Sequence, residues 1–87
     1  ELRGPIGVVV ADGLVFVCDS GNSRICVFRT DGTFVRKWGT QGEADGQLNY
    51  PCGIASLDGH LYVTDYHNHR VCVFRPDGSF VRKWGSK

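Results

Sequence analysis

The hexapeptide FVRKWG occurs twice in this chain, at residues 34–39 and 80–85. Shifting the sequence by 46 positions aligns residues 1–41 with residues 47–87 without a gap, and 21 of the 41 aligned positions are identical. A period of this length is typical of proteins built from stacked copies of one small unit. We therefore predict two repeats, residues 1–41 and 47–87, joined by a linker at residues 42–46.

Each repeat has the pattern of four short antiparallel β-strands separated by turn signals, and no segment has helical periodicity over a useful length. Asp-Gly pairs at positions 12–13 and 58–59 are two-residue hairpin signals, because glycine readily adopts the positive φ that such turns need. The fold class is therefore all-β, and a four-stranded unit of this period is typical of a β-propeller blade. The predicted strands are Gly7–Ala11, Leu14–Cys18, Arg24–Arg29, Thr33–Trp38, Gly53–Leu57, Leu61–Thr64, Arg70–Arg75 and Ser79–Trp84.

The segments GLVFVCDSGNSRICVFRTDGTFVRKWG and GHLYVTDYHNHRVCVFRPDGSFVRKWG closely resemble the NHL repeat. They share with it a strand that ends in Asp, an Asn-x-Arg turn, an apolar strand, an Asp-Gly pair and a close on an aromatic residue and Gly. The resemblance covers both repeats, which is nearly the whole chain. It implies blades of a six-bladed propeller, a fold that this family uses mainly as an interaction platform.

FVRKWG is predicted to be the outermost strand of each blade. Phe34, Arg36 and Trp38 are expected to point to one side, with Val35 and Lys37 on the other. Basic residues on an outer strand discourage edge-to-edge pairing with other sheets. The formal net charge is only +1, so the paired bases are interpreted as a solvated edge rather than as a nucleic-acid surface.

Two blades do not close a ring. Strands with apolar residues on both sides predict sheets that are covered on both faces, yet two stacked blades leave two apolar faces open, and such faces favour association. Because the contact between blades is head to tail, it must close into a ring or continue as a fibre. Given the resemblance to six-bladed propellers, we expect three chains to close a homotrimeric ring, so that the predicted partner is the chain itself.

Composition adds few constraints. The chain has no apolar run of about 18 residues, so no membrane span is expected. A cytoplasmic location is favoured, although the start ELRGP, without a methionine, does not establish the compartment. The four cysteines lack CxxC spacing, and free, buried thiols are expected, with a cross-hairpin disulfide between Cys18 and Cys26 as the alternative.

The loops between the second and third strands are predicted to share one end of the blades with the linker, and we expect this loop face to bind a protein or peptide. Side chains common to both loops are expected to organise the turns, namely Asp19 and Asn22 with their equivalents Asp65 and Asn68. Arg24 and Arg70, also common to both loops, can bridge to the aspartates. The candidate binding residues are Tyr50, Tyr66, His67, His69, Arg24 and Arg70.

The sequence leaves two other classes of function open. Single-stranded RNA binding on the same face would use Arg3, Arg24 and Arg70 as phosphate contacts and Tyr50 or Tyr66 as stacking platforms. A metal-dependent lyase or hydrolase is the lesser alternative, since some related propellers are such enzymes. His67 and His69 form a His-x-His pair without a third ligand in sequence, and no GxSxG, HExxH or phosphate-binding glycine loop is present. We therefore expect a non-catalytic module without a metal or other cofactor.

Overall fold

The structure, a computed structural model, describes residues 2–85. Within these residues the chain forms two four-stranded antiparallel sheets, in the orders β1-β2-β3-β4 and β5-β6-β7-β8. The predicted all-β fold with two four-stranded units is confirmed. The strands are β1 (Val8–Ala11), β2 (Leu14–Asp19), β3 (Arg24–Arg29), β4 (Phe34–Trp38), β5 (Pro51–Leu57), β6 (His60–Asp65), β7 (Arg70–Phe74) and β8 (Phe80–Gly85).

The Asp-Gly pairs form the first hairpin turn of each sheet, as predicted. Asp12 has a φ of 52° and Gly13 one of 73°, and Asp58 and Gly59 repeat this conformation with 50° and 74°. Positive φ at both central residues matches the right-handed twist of the flanking strands. Each sheet is therefore a simple up-and-down meander whose first and third connections lie at one end and whose second connection lies at the other.

One part of the prediction for FVRKWG is wrong. Val27 pairs with Arg36, but Phe28 pairs with Phe34, so β3 and β4 shift register and Val35 is the extra residue of a β-bulge. A bulge interrupts the alternation of side chains along a strand. Phe34 therefore lies on the same face as Phe28, and Trp38 lies on the opposite face with Ile25, its partner in β3. The second sheet repeats the shift between Val73 and Phe74.

The two sheets pack face to face, and we refer to this contact as the seam. The first sheet contributes Phe16, Ile25 and Val27 from its central strands, all fully buried. Trp38, from its outer strand, lies with its ring centroid 6.5 Å from that of Phe16 and 5.7 Å from that of Phe74, across the seam. The remaining buried apolar residues of the two core clusters are Cys18, Leu48, Leu61, Val63 and Cys72.

The cysteines are free thiols, as expected. Cys18 pairs with Ile25 and Cys26 with Val17, so the two thiols are adjacent in register but point to opposite faces of the sheet. This geometry is incompatible with the alternative disulfide. Burial raises the pKa of Cys18 to about 12, and proximity to Cys52 adds to the shift.

Each sheet also has a face outside the seam. On the first sheet, Val8, Val10 and Phe34 have exposed fractions of 61%, 63% and 54%. On the second sheet, Leu57 and Trp84 have exposed fractions of 60% and 50%. We refer to these surfaces as the open face of the first sheet and the open face of the second sheet. Coverage of both faces, as the strand sequences predict, is not achieved within residues 2–85 of one chain.

Candidate binding surface

A buried aspartate organises the loop between β2 and β3. The Oδ2 atom of Asp19 accepts hydrogen bonds from Asn22 Nδ2 at 2.9 Å and Arg24 Nε at 2.7 Å, and Oδ1 accepts one from the backbone N–H of Arg3 at 2.6 Å. Burial alone raises the pKa of Asp19, but the hydrogen bonds from Arg3, Asn22 and Arg24 outweigh it and hold the pKa below its usual range. The loop itself is one 3-10 turn, Ser20–Asn22.

The second repeat contains the same arrangement. Asp65 accepts hydrogen bonds from Asn68 Nδ2 at 2.9 Å, Arg70 Nε at 2.7 Å and the backbone N–H of Asn49 at 2.6 Å. The loop is again a 3-10 turn, Tyr66–Asn68. Each aspartate therefore connects three segments of the chain, which fixes the loops relative to the sheet.

In the second repeat the same side chains also hold the linker. Arg70 Nη1 donates to the carbonyl of Glu43 at 2.7 Å and Nη2 to that of Gln47 at 2.9 Å, while Asn68 Nδ2 donates to the carbonyl of Gly42 at 2.9 Å. The guanidinium of Arg70 is thus occupied by the carboxylate of Asp65 and by linker carbonyls. The structure places Arg24 and Arg70, both candidate binding residues, in ion pairs with the buried loop aspartates.

Three of the other candidate binding residues meet at the loop face. The ring centroid of His67 lies 5.2 Å from those of both Tyr50 and Tyr66, and the two tyrosine centroids are 6.3 Å apart. We refer to Tyr50, Tyr66 and His67 as the aromatic cluster. The backbone N–H of Tyr66 donates to the carbonyl of Tyr50, which ties the loop to the chain that leads into β5. Tyr66 is 58% exposed, so the cluster offers an aromatic surface to solvent.

Tyr50 has an unusual backbone conformation. Its φ is 62°, and Gly4, the equivalent residue of the first repeat, has the same value. The left-handed region costs an L-residue with a side chain roughly 1–2 kcal/mol. Such strain is concentrated at functional sites. Sequence reasoning missed this feature, although the Gly4/Tyr50 mismatch between the repeats was a signal that could have revealed it.

His69 lies outside the aromatic cluster but next to it, since its backbone N–H donates to the carbonyl of Tyr66. It follows the 3-10 turn with a φ of 53° and lines a cavity of about 330 Å³ on the open face of the second sheet, together with Tyr66, Trp84 and Gly85. A second cavity, of about 240 Å³, lies on the open face of the first sheet and is lined by Leu2, Arg24, Cys26, Phe28, Phe34 and Lys37. Four of the candidate binding residues line these cavities, namely Tyr66, His69 and Arg70 the first and Arg24 the second.

The described residues set limits on two other kinds of site. Within residues 2–85, no group of three or more His, Cys, Asp or Glu side chains is arranged to hold a metal ion. Over the same residues, none of the helical segments has the length and apolar character needed to cross a membrane.

The two packed, four-stranded meanders define the chain as a pair of propeller-type blades. The profile of the NHL repeat matches residues 2–28 and 48–74, and the chain belongs to this family. The family predicted from the sequence is confirmed.

Two relatives show how the chain compares with longer proteins. RING finger protein nhl-1 of Caenorhabditis elegans is 50% identical to it over 50 residues, which is 56% of this chain and 5% of that protein. A crystal structure of a protein from Bacteroides fragilis NCTC 9343 superposes with a TM-score of 0.84 over 98% of this chain and 25% of its own length, at 19% identity. The chain thus spans a small part of each relative, and the structural likeness concerns the fold.

Proposed function

We propose that this pair of blades is a non-catalytic interaction module that binds a protein or peptide at its loop face, around the aromatic cluster. The observation that carries the proposal is Tyr50, a large aromatic residue at a backbone position that favours glycine and that is glycine in the first repeat. Tyrosine is enriched at the energetic centres of protein interfaces, where it buries a large ring at low conformational cost. The exposed ring of Tyr66 beside it enlarges this surface.

The alternative ligand is single-stranded RNA on the same face. Base stacking on Tyr50 and Tyr66 would suit it. Of its three predicted phosphate contacts, Arg3 is exposed, whereas the Nε atoms of Arg24 and Arg70 lie 2.7 Å from buried carboxylates. Because the buried aspartates compete with phosphate for these two arginines, a protein or peptide is the favoured ligand.

We further propose that chains associate through their open faces, and that three chains with two blades each form a six-bladed ring. The exposed apolar side chains of both open faces support this proposal, since surfaces of this kind usually mark an interaction. Light scattering on the 87-residue chain tests it, because one chain has a mass of 9.6 kDa and the ring would have three times that mass. A monomer, or a broad heavy distribution, would contradict the ring.

The loop face is tested with a random peptide library displayed on phage and selected on the wild-type chain. The variant carries Tyr50→Gly, Tyr66→Ser and His67→Gly, so that each position has the residue of the first repeat. Loss of one aromatic hot spot typically costs about 2 kcal/mol or more, so we expect selected peptides to bind this variant at least about 30-fold more weakly.

The matched control carries Pro76→Thr and Ser79→Thr, which also introduce first-repeat residues but lie in the turn between β7 and β8, at the other end of the blade. Selected peptides should bind it as they bind the wild type. Equal binding to all three proteins would contradict the proposal. Salt-dependent binding of an oligouridine, measured by fluorescence anisotropy, would instead favour RNA.

A further inference from the structure

The repeat relates the seam inside one chain to the two open faces. In the seam, the face of the first sheet with Phe16 and Trp38 packs on the face of the second sheet with Phe74 and Phe80. Residues 46 positions after those of the Phe16 and Trp38 face form the open face of the second sheet. Residues 46 positions before those of the Phe74 and Phe80 face form the open face of the first sheet. Each open face is therefore the repeat equivalent of a face that already has a partner.

Trp38 is the largest side chain that crosses the seam. Its ring lies against Phe74 and against Gly78, where an added Cβ would come within 3.0 Å of the indole. Glycine is thus needed at position 78 so that the indole can approach the backbone. Phe80 packs on Phe74 at a centroid distance of 5.9 Å and an interplanar angle of 75°, which completes the surface that receives Trp38.

The equivalent receiving surface on the first sheet is already in this geometry. Phe28 and Phe34 have a centroid distance of 5.9 Å and an interplanar angle of 76°. Gly32 is the repeat equivalent of Gly78, and nothing lies within 4 Å of a Cβ added there. Phe28 and Phe34 line the 240 Å³ cavity together with Leu2. This surface is formed and has no occupant among residues 2–85.

The inserting side chain on the second sheet is preformed as well. Trp84 packs on Tyr62 at 6.3 Å and 65°, and Trp38 packs on the equivalent residue Phe16 at 6.5 Å and 63°. Trp84 is 50% exposed and has no partner sheet within the described part of the chain. Preorganisation of both surfaces lowers the entropic cost of their association.

The second cavity has the same relation to the seam. Within the chain, Leu48 is fully buried, and its Cδ1 would lie 3.4 Å from a Cβ added at Gly39. Position 85, the equivalent of Gly39, is also glycine and lines the 330 Å³ cavity. Leu2 is the equivalent of Leu48. The 330 Å³ cavity on the open face of the second sheet thus matches Leu2, a side chain at the open face of the first sheet.

We infer that the open face of the second sheet docks on the open face of the first sheet of another chain, in the register of the seam. In this contact Trp84 inserts against Phe28 and Phe34 of the other chain. Leu2 of that other chain fills the cavity beside Trp84. This inference rests on the proposed association of chains and specifies its surfaces. Unlike faces meet in it, so the contact is head to tail and is not self-complementary.

The test uses one variant for each face. Trp84→Glu places a charge on the open face of the second sheet and leaves the other face intact. Phe34→Glu does the same on the first sheet. Both side chains are at least half exposed, with fractions of 50% and 54%, so neither substitution enters the core of the chain.

Each variant alone is expected to be a 9.6 kDa monomer by light scattering, and an equimolar mixture is expected to form a heterodimer of twice that mass. In that heterodimer the intact second-sheet face of Phe34→Glu meets the intact first-sheet face of Trp84→Glu. Self-association of either variant alone would show that like faces pair and would overturn the inference, as would a mixture that stays at the monomer mass or grows beyond the dimer mass.

A second pair, Leu57→Glu and Val8→Glu, repeats the test with residues that are 60% and 61% exposed. Far-ultraviolet circular dichroism identifies which pair of variants is folded, and the light-scattering masses of that folded pair test the docking mode. The heterodimer does not depend on the number of chains in a closed assembly or on any ligand. A wild-type mass other than that of three chains would therefore contradict the three-chain ring while leaving the docking mode standing.

Discussion

Replacing Trp38 by alanine tests whether the seam holds the two sheets together, because the repeat supplies its own control in Trp84. Both residues lie at the same position of the repeat, on outer strands, and each packs on one aromatic residue of its own sheet. They differ in that Trp38 also lies against Phe74 of the other sheet. The comparison therefore isolates the contact across the seam.

The expected loss follows from the area that the indole removes from water. A buried aromatic side chain covers roughly 150–250 Å², which at about 25 cal/mol per Å² corresponds to about 4–6 kcal/mol. Trp38 is only partly buried, so Trp38→Ala is expected to lower the free energy of unfolding by about 3–4 kcal/mol, within the range seen for such substitutions. For a chain of 87 residues, total stability is roughly 4–13 kcal/mol.

Trp84→Ala removes one exposed aromatic pair with Tyr62, so its expected cost is about 1 kcal/mol. Trp38→Phe keeps a ring against Phe74 and removes an indole N–H that is buried without a hydrogen-bond acceptor among residues 2–85, so it should cost less than half as much as Trp38→Ala.

Urea unfolding of each variant in a Phe34→Glu background, where chains are expected to stay monomeric, measures these losses without a contribution from association. Equal losses for Trp38→Ala and Trp84→Ala would refute the seam as a source of stability.

Two further substitutions test the loops. Tyr50→Gly relieves a strained φ worth roughly 1–2 kcal/mol and gives up aromatic contacts worth about 0.5–1.5 kcal/mol each, so the thermal midpoint of unfolding should change little. Gly4→Ala should lower that midpoint. A large loss for Tyr50→Gly would show that the tyrosine serves stability. The pKa of Asp19 is held below its usual range in the fold, so its stabilising effect is present near neutral pH and is lost as the pH falls through the folded-state value. Asp19→Asn should therefore lower the free energy of unfolding by about 2 kcal/mol at neutral pH and approach the wild type below about pH 4. Asp12→Asn, in an exposed hairpin turn, serves as the control. A constant difference between Asp19→Asn and the wild type at all pH values would contradict the linkage.

The strand pattern could be predicted because each strand ends at a local signal. The Asp-Gly pairs specify their turns through residues that tolerate positive φ, and the repeat allowed each strand to be identified twice. The bulge at Val35 has no such signal, since the alternation of FVRKWG fits a regular strand equally well. The face that Phe34 occupies is decided by its packing on Phe28, which is a property of the folded sheet.

The candidate site was predictable in part for a similar reason. Tyr66 and His67 are neighbours in sequence and differ from their first-repeat equivalents, which identified them. Tyr50 joins them only because its carbonyl accepts the N–H of Tyr66. For Arg24 and Arg70 the sequence allowed either a ligand contact or an ion pair with the loop aspartate, and the structure shows the ion pairs.

Comparison of the two repeats distinguishes the aromatic cluster from the residues that build the loops and the contact between the sheets. Several residues that build the loops and the contact between the sheets are identical in both repeats, among them Asp19 and Asp65, Phe28 and Phe74, and Trp38 and Trp84. The aromatic cluster, in contrast, replaces glycine, serine and glycine of the first repeat with Tyr50, Tyr66 and His67. These replacements come from two segments of the chain and meet within 6.3 Å. Substitutions with no common constraint would not be expected to converge on one exposed patch, which supports the proposal that a protein or peptide binds at the loop face.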